Sequence, residues 1–380
     1  MTVVSPQCGP MKTVHCWTVK AEGDKEKFET GSLFMNNNEK TLGSDAVDSD
    51  AVPRCKMTIE EGLRPLLASM KLFGLYFTRP SENKQSRRWK AYMIYAVSVV
   101  ILLWLNAVRM LSTFTHEDKF GMILFSKLVA IIWSIQCAVS QTAFFAASFS
   151  GRLALAFHQV LDGCCAGHCR KFATVYTILA SAYIMAGSTF YAYGLFTGYK
   201  DYMLTPLQIH IILPDPLIVR IFWYFCMFHL LAAYIFSQAV TFVLAMMFGH
   251  QFRSVTEALG GCLDKQRRQV SESDIEMLRQ KHQEIAMNVS YIDDCLMFSN
   301  ASAFCCQVAC VVILLYTITF YHSVITDPII ITTYFFWLFM ILFGLVLTAA
   351  GGISLHHYVS LFSMTVCNVR YSLLCSCSIV

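Results

Sequence analysis

The sequence predicts an all-α polytopic membrane protein with six transmembrane helices, a cytoplasmic N-terminus and long helices projecting into the cytosol. Three observations predict it. Of the 380 residues, 56% are hydrophobic and only 14% charged, whereas a soluble domain carries about a quarter charged residues and under half apolar ones. The apolar residues come in blocks that match the length of a bilayer crossing, about 20 residues. Lysine and arginine gather at alternate ends of those blocks, which sets an orientation. A water-soluble fold cannot hide this much apolar surface. Soluble enzymes, secreted disulfide scaffolds and nucleic-acid binders are set aside together.

Residues 1–57 are polar, carry Asn36, Asn37 and Asn38 and mix both charge signs without helical periodicity. This composition predicts a disordered cytoplasmic tail. The first twenty residues contain no apolar core of a signal peptide, so insertion falls to the first internal hydrophobic helix. Residues 58–90 form a pre-membrane segment. Leu63, Leu66, Leu67, Met70 and Leu72 are spaced for an amphipathic helix, and the basic residues Arg79, Lys84, Arg87, Arg88 and Lys90 follow. Residues 91–361 form the helical bundle, with spans near 91–111, 122–149, 172–196, 217–248, 301–325 and 329–350. Pro206, Pro214 and Pro216 mark the loop before the fourth span, and Asp327-Pro328 the turn before the sixth. Residues 362–380 are a C-terminal tail.

The loops alternate in charge. The stretch before span one has five basic residues, and the loop after span two holds Arg152, Arg170 and Lys171. The loop after span four holds Arg253, Lys265, Arg267, Arg268, Arg279 and Lys281, while the intervening loops are poor in basic residues. This places the N-terminus inside. The cytoplasmic loop 249–300 carries a helical stripe of Ile275, Leu278, His282, Ile285, Val289, Ile292 and Leu296. Ser273 and Glu276 have the spacing of a capping box at its start, and its register runs into span five without proline or glycine. Two compatible readings stand. The stripe packs on a neighbouring cytoplasmic helix, or Ile275, Leu278, Ile285, Val289, Ile292 and Leu296 associate subunits. The sequons at Asn288 and Asn300 lie in this loop and would report its side of the membrane.

These features resemble the arthropod gustatory/odorant receptor superfamily, its gustatory branch above all. The segment from Leu63 through Phe73, Gly74 and Leu75 looks like the family's helix before the first span, which ends in a Leu-Phe-Gly-Leu-like turn. The run from Leu278 through Ile285, Val289, Ile292, Asp293 and Phe298 looks like the helix that leads into span five. The resemblance covers roughly Thr58 to Leu361. It implies a chemoreceptor related to tetrameric ligand-gated cation channels, in the cell membrane, that binds a small tastant in the outer half of the bundle. The partners it implies are the tastant, membrane lipid and other subunits of a homo- or hetero-tetramer, with no nucleic acid. It also implies a seventh, pore-lining span carrying Thr-Tyr, five apolar residues, then Gln-Phe. Thr333-Tyr334 begins like this pattern, but Met340 and Ile341 stand where Gln-Phe belongs, in a span of the opposite direction. Beyond Leu355 the chain offers Tyr358 to Val366 and then Arg370, too short and polar for another crossing. The expectation is that this chain alone does not form the pore.

The site readings follow. Trp133, Tyr191, Trp223, Tyr224, His229, Tyr316, Tyr334 and Trp337 are the ligand-binding candidates, with an interfacial aromatic belt as the competing account of most of them. Gln238 is either a pocket group or a hydrogen bond between helices. Cys137, Cys226, Cys305, Cys306 and Cys310 fall inside apolar blocks and read as free thiols. Cys164 and Cys165, beside His168 and Cys169, lack the second spaced pair that a zinc site needs. With Cys377, in a C-terminal Cys-Ser-Ile-Val, they are lipidation candidates. His356 and His357 point about 100° apart on a helix and do not make a metal pair. No metalloprotease, nucleophile-elbow or phosphate-loop motif occurs, so no enzyme activity, metal or cofactor is expected. The competing functional readings are a G-protein-coupled seven-helix receptor and a small-molecule transporter.

Overall fold

The computed structural model describes residues 57–78, 87–112, 114, 121–158, 160–161, 163–197, 216–264, 272–321 and 328–377. The tail before Met57, and with it the reading of that tail as disordered, lies outside the described residues. Eight helices carry the rest: α1 (Ile59–Leu72), α2 (Arg87–Ser112), α3 (Met122–Phe149), α4 (Arg152–Phe157), α5 (Gly163–Thr197), α6 (Pro216–Asp264), α7 (Glu272–Phe320) and α8 (Pro328–Cys377). The fold is all-helical as expected, apart from one short bridge in which Met57–Thr58 pairs antiparallel with Val160–Leu161. Among the described residues six helices are long and apolar enough to cross a membrane: α2, α3, α5, α6, α7 and α8. This matches the six expected spans.

Helix α1 starts where the sequence places it. The Thr58 hydroxyl accepts from the Glu61 amide at 3.2 Å, and the Glu61 carboxylate accepts from the Thr58 amide at 3.0 Å. The two bonds satisfy amides that a helix start otherwise leaves open. Ile59, Leu63, Leu66, Leu67 and Met70 form one face and are buried against α5 and α6 rather than spread on a membrane surface. The helix ends in a Schellman turn. The Leu75 amide donates to Met70 at 3.0 Å and the Gly74 amide to Lys71 at 3.2 Å, with Gly74 at φ 71°. Three other helices hold this turn. Gln141 Nε2 of α3 donates to the Gly74 and Phe73 carbonyls at 3.0 and 3.4 Å, and Tyr95 Oη of α2 donates to Leu72 at 2.7 Å. From α6, Phe236 packs tilted against Phe73 with centroids 5.5 Å apart. Nearby, Tyr76 Oη donates to Glu60 at 3.5 Å, and burial together with that carboxylate raises its phenol above the ordinary range.

The centre of the bundle is α6, every residue of which from 229 to 240 is buried. It packs on α8, α5, α3 and α7. Close approach depends on small residues facing it, as between helices in lipid. A Cβ at Gly187 of α5 would stand 3.1 Å from Leu231, and one at Gly351 of α8 would stand 3.2 Å from Ala245. A second, smaller core joins α3, α7 and α8 through Met122, Val129, Cys310, Leu314, Ile330, Tyr334, Leu338 and Ile341.

The loop 249–300 is mostly helix, as its stripe predicts: α6 runs on to Asp264 and α7 begins at Glu272. At about 1.5 Å per residue, a 49-residue helix such as α7 exceeds twice a hydrocarbon core of about 30 Å. The Ser273–Glu276 capping box does not form at the start of α7. Ser273 stands inside the helix, and the Glu276 carboxylate is taken by Arg279 at 2.6 and 2.7 Å and by Gln280 at 3.1 Å. The sequons also lie within α7. Asn300 accepts there from Thr241 of α6 at 2.9 Å. Glycosylation acceptors belong to surface loops, so glycan absence would not report the side of the membrane. The stripe itself is folded within the chain. Leu278, Ile285, Ile292 and Leu296 are buried in one core with Phe252, Val255 and Leu259 of α6.

Candidate functional site

The eight aromatic and histidine candidates do not converge on one place. Tyr334 belongs to the smaller core at the α3–α7–α8 contact and Trp337 packs against it, while Tyr316 lies outside it, 5.1 Å from Phe125 between centroids. Tyr334 Oη is bonded to Ser126 Oγ, and Tyr316 is 38% exposed. Trp223 is buried beneath the Arg109 guanidinium, whose Cζ is 3.8 Å from a ring centroid. Arg109 also donates to Asn106 at 3.3 Å, and Asn106 donates to Ser134 of α3 at 3.4 Å. Tyr191 stands beside this stack, and Tyr224 is half-buried. Trp133 meets Tyr234 at 6.2 Å between centroids. His229 faces away from Tyr234, toward Phe73 and Tyr95. The side chains of Cys164, Cys165 and Cys377 lie outside the described residues.

A site the sequence reading did not assemble lies deeper, around Tyr234. Its hydroxyl donates to the Met340 carbonyl of α8 at 3.4 Å, a long bond. The carboxamides of Gln238, one turn along α6, and Gln307, from α7, stand beside the same hydroxyl. Both glutamines are buried, at 4% and 1% exposure; their carboxamides act on the Tyr234 hydroxyl, yet none of the four amide atoms reaches a well-formed hydrogen bond. Gln238 therefore does not make the helix-to-helix bond that was one of its two readings. A Cβ at Gly344 of α8 would stand 2.8 Å from Tyr234 Oη and overlap Gln238 Oε1. Glycine is what lets α8 close over these polar groups. Trp133 and Tyr183 supply aromatic walls, with Tyr183 stacked on Phe336 of α8 at 6.4 Å.

A buried polar atom left unpaired costs about 1–3 kcal/mol. Four such atoms gathered round one phenol make this the most concentrated group of unsatisfied polar atoms among the described residues of the bundle. Few polar groups set among aromatic walls is the usual composition of a small-molecule pocket. The sequence signal for it was available. Gln238 and Gln307 are both carboxamides inside long apolar blocks, and only the first was singled out.

Among the described residues, six helices long and apolar enough to span a membrane pack around the buried fourth of them, with the pre-membrane helix folded into the bundle. The olfactory receptor OR5 from Machilis hrabei has a structure similar to this one, with a TM-score of 0.57 and 14% sequence identity over 82% of this chain and 89% of that chain. The same receptor in complex with eugenol is similar at a TM-score of 0.57 and 13% identity, with the same coverage. No family model matches the chain, and no curated protein is similar to it in sequence. The fold expected from the residues 63–75 and 278–298 is thus the one observed.

Proposed function

We propose that the chain is a chemoreceptor of the gustatory branch. It binds a small tastant around Tyr234, Gln238 and Gln307 and works as a subunit of a tetrameric, ligand-gated cation channel in the cell membrane. The observation that carries this reading is the set of four unpartnered amide atoms beside a phenol in the middle of the bundle. The similarity to a receptor solved with eugenol, a small aromatic phenol, supports ligand binding inside this fold. The distribution of lysine and arginine supports a cytoplasmic N-terminus, and in that orientation Tyr234, Gln238 and Gln307 sit at the middle of the bundle, inward of the outer half that the resemblance implies. Binding changes channel state only through different affinities for closed and open forms. A group that moves when α8 moves against α6 meets that requirement, and Gln238 beneath Gly344 is such a group.

The test is direct binding. The purified chain in lipid nanodiscs is screened by thermal shift against phenols, sugars and alkaloids, because a bound ligand raises the melting temperature by mass action. At least one class should stabilise the wild type. Gln238→Leu should weaken that binding about tenfold or more, as expected for one or two lost hydrogen bonds. A ligand bound equally by wild type, Gln238→Leu and Gln307→Leu would refute the placement.

A further inference from the structure

His229 is another buried polar side chain left without a hydrogen-bond partner. It is 3% exposed, and neither ring nitrogen has a hydrogen-bond partner. It lies five residues before Tyr234. At about 100° per residue this turns it about 140° away from the tyrosine. Its surroundings are aromatic on every side the contacts reach. Phe225 lies 4.5 Å from it between centroids, Phe73 5.9 Å, Tyr95 6.2 Å and Phe228 6.3 Å, with ring planes between 62° and 80° to the imidazole.

A neutral imidazole has one N–H and one lone-pair nitrogen. Ring faces offer the N–H a weak acceptor, but none of these four rings donates to the lone pair. Phenylalanines have no donor, and the Tyr95 hydroxyl is spent on the Leu72 carbonyl at 2.7 Å. The missing partner is therefore a donor. Water fits poorly, because a buried water is held by two to four polar groups and this cage presents one. An ion would cross into a setting without a counter-charge. What matches is one hydroxyl on an apolar body. The cage borders the surface of the bundle: Phe225, the nearest ring, is 50% exposed, and Phe222 one turn away is 48% exposed.

We propose that His229 is the polar contact of a second small-molecule site, reached past Phe225, that takes an uncharged hydroxyl-bearing molecule dissolved in the bilayer. It is separate from the Tyr234 site and does not depend on the function proposed above. It borders the turn at Phe73 and Gly74, so an occupant bears on the contact between α1, α2 and α6.

The experiment uses the full chain in nanodiscs and two photoactivatable probes of equal length, a diazirine-bearing octanol and the matching diazirine-bearing octane. Adducts are mapped by mass spectrometry. The alcohol should label residues near 73 and 222–232, and His229→Phe should reduce that labelling about tenfold, the effect of one buried hydrogen bond. The alkane should label this region weakly and equally in both proteins. His229→Asn, which keeps a side-chain nitrogen, should retain part of the alcohol labelling. Should His229→Phe not fold, competition on the wild type decides: unlabelled octanol must displace the alcohol probe and octane must not. Alkane labelling as strong as the alcohol's, labelling unchanged in His229→Phe, or adducts confined to the Tyr234 face would each overturn the proposal.

Discussion

Gly74→Ala tests the account of how the pre-membrane segment is held. Gly74 has φ 71°, in the left-handed region, where a residue with a Cβ loses about 1–2 kcal/mol. The added Cβ would also stand 3.2 Å from the Cα of Ala96 and 3.4 Å from Tyr95 Cε1. The first of those is backbone of α2 and cannot swing aside, so α2 must shift by a few tenths of an ångström. Overpacking of this kind costs about 1–3 kcal/mol, and the sum is about 2–5 kcal/mol. Gly151→Ala is the control. Its φ is 75°, but nothing lies within 4 Å of the position its Cβ would take, so only the backbone cost of about 1–2 kcal/mol remains. Thermal unfolding of both variants in one mild detergent compares them. Gly74→Ala should melt several degrees below Gly151→Ala. Equal losses would refute the close packing of the turn on α2, and a Gly74→Ala protein as stable as wild type would refute the Schellman turn itself.

Other outcomes follow from the same packing. Ile285→Asp should destabilise the protomer by about 3–5 kcal/mol, because it puts an unpaired charge in the α6–α7 core, whereas Met287→Asp, at a position 59% exposed, should change stability by under about 0.5 kcal/mol. If size-exclusion chromatography instead shows Ile285→Asp stable but dissociated, the stripe serves subunit association. Arg109→Met keeps an apolar stem but removes the stacked cation and the bond to Asn106. It should cost about 1–2 kcal/mol and alter the emission of Trp223, and an unchanged melt and spectrum would remove Arg109 from the account. An N-terminal tag should stay hidden from antibody in intact cells and become accessible on permeabilisation, and surface labelling would reverse the orientation.

The residues around the start of α1 and along α7 show how far sequence alone reaches. Thr58 followed by Glu61, with leucines at three- and four-residue steps behind them, fixes where α1 begins and which face it buries, since capping and amphipathicity are local properties. The continuity of α7 was legible for the same reason: from Glu272 to Phe320 no proline or glycine interrupts the helix. The spans were legible because crossing a bilayer requires only length and apolarity, both of which are one-dimensional. The residues of the site were not. Within α6, residues 230–240 are buried on all faces. A helix apolar all round carries no periodic signal to say which side meets which neighbour. Tyr234 and Gln238 were joined to Gln307, and His229 was turned away from them, by the rotation of α6 about its own axis. That rotation is set by close contacts with α5 and α8 at Gly187, Gly344 and Gly351. Sequence determined that six helices cross and where the first and seventh helices of the chain begin or run on. Packing decided which polar groups meet inside the bundle, because in a medium as apolar as the helix surfaces only shape selects the face that turns inward.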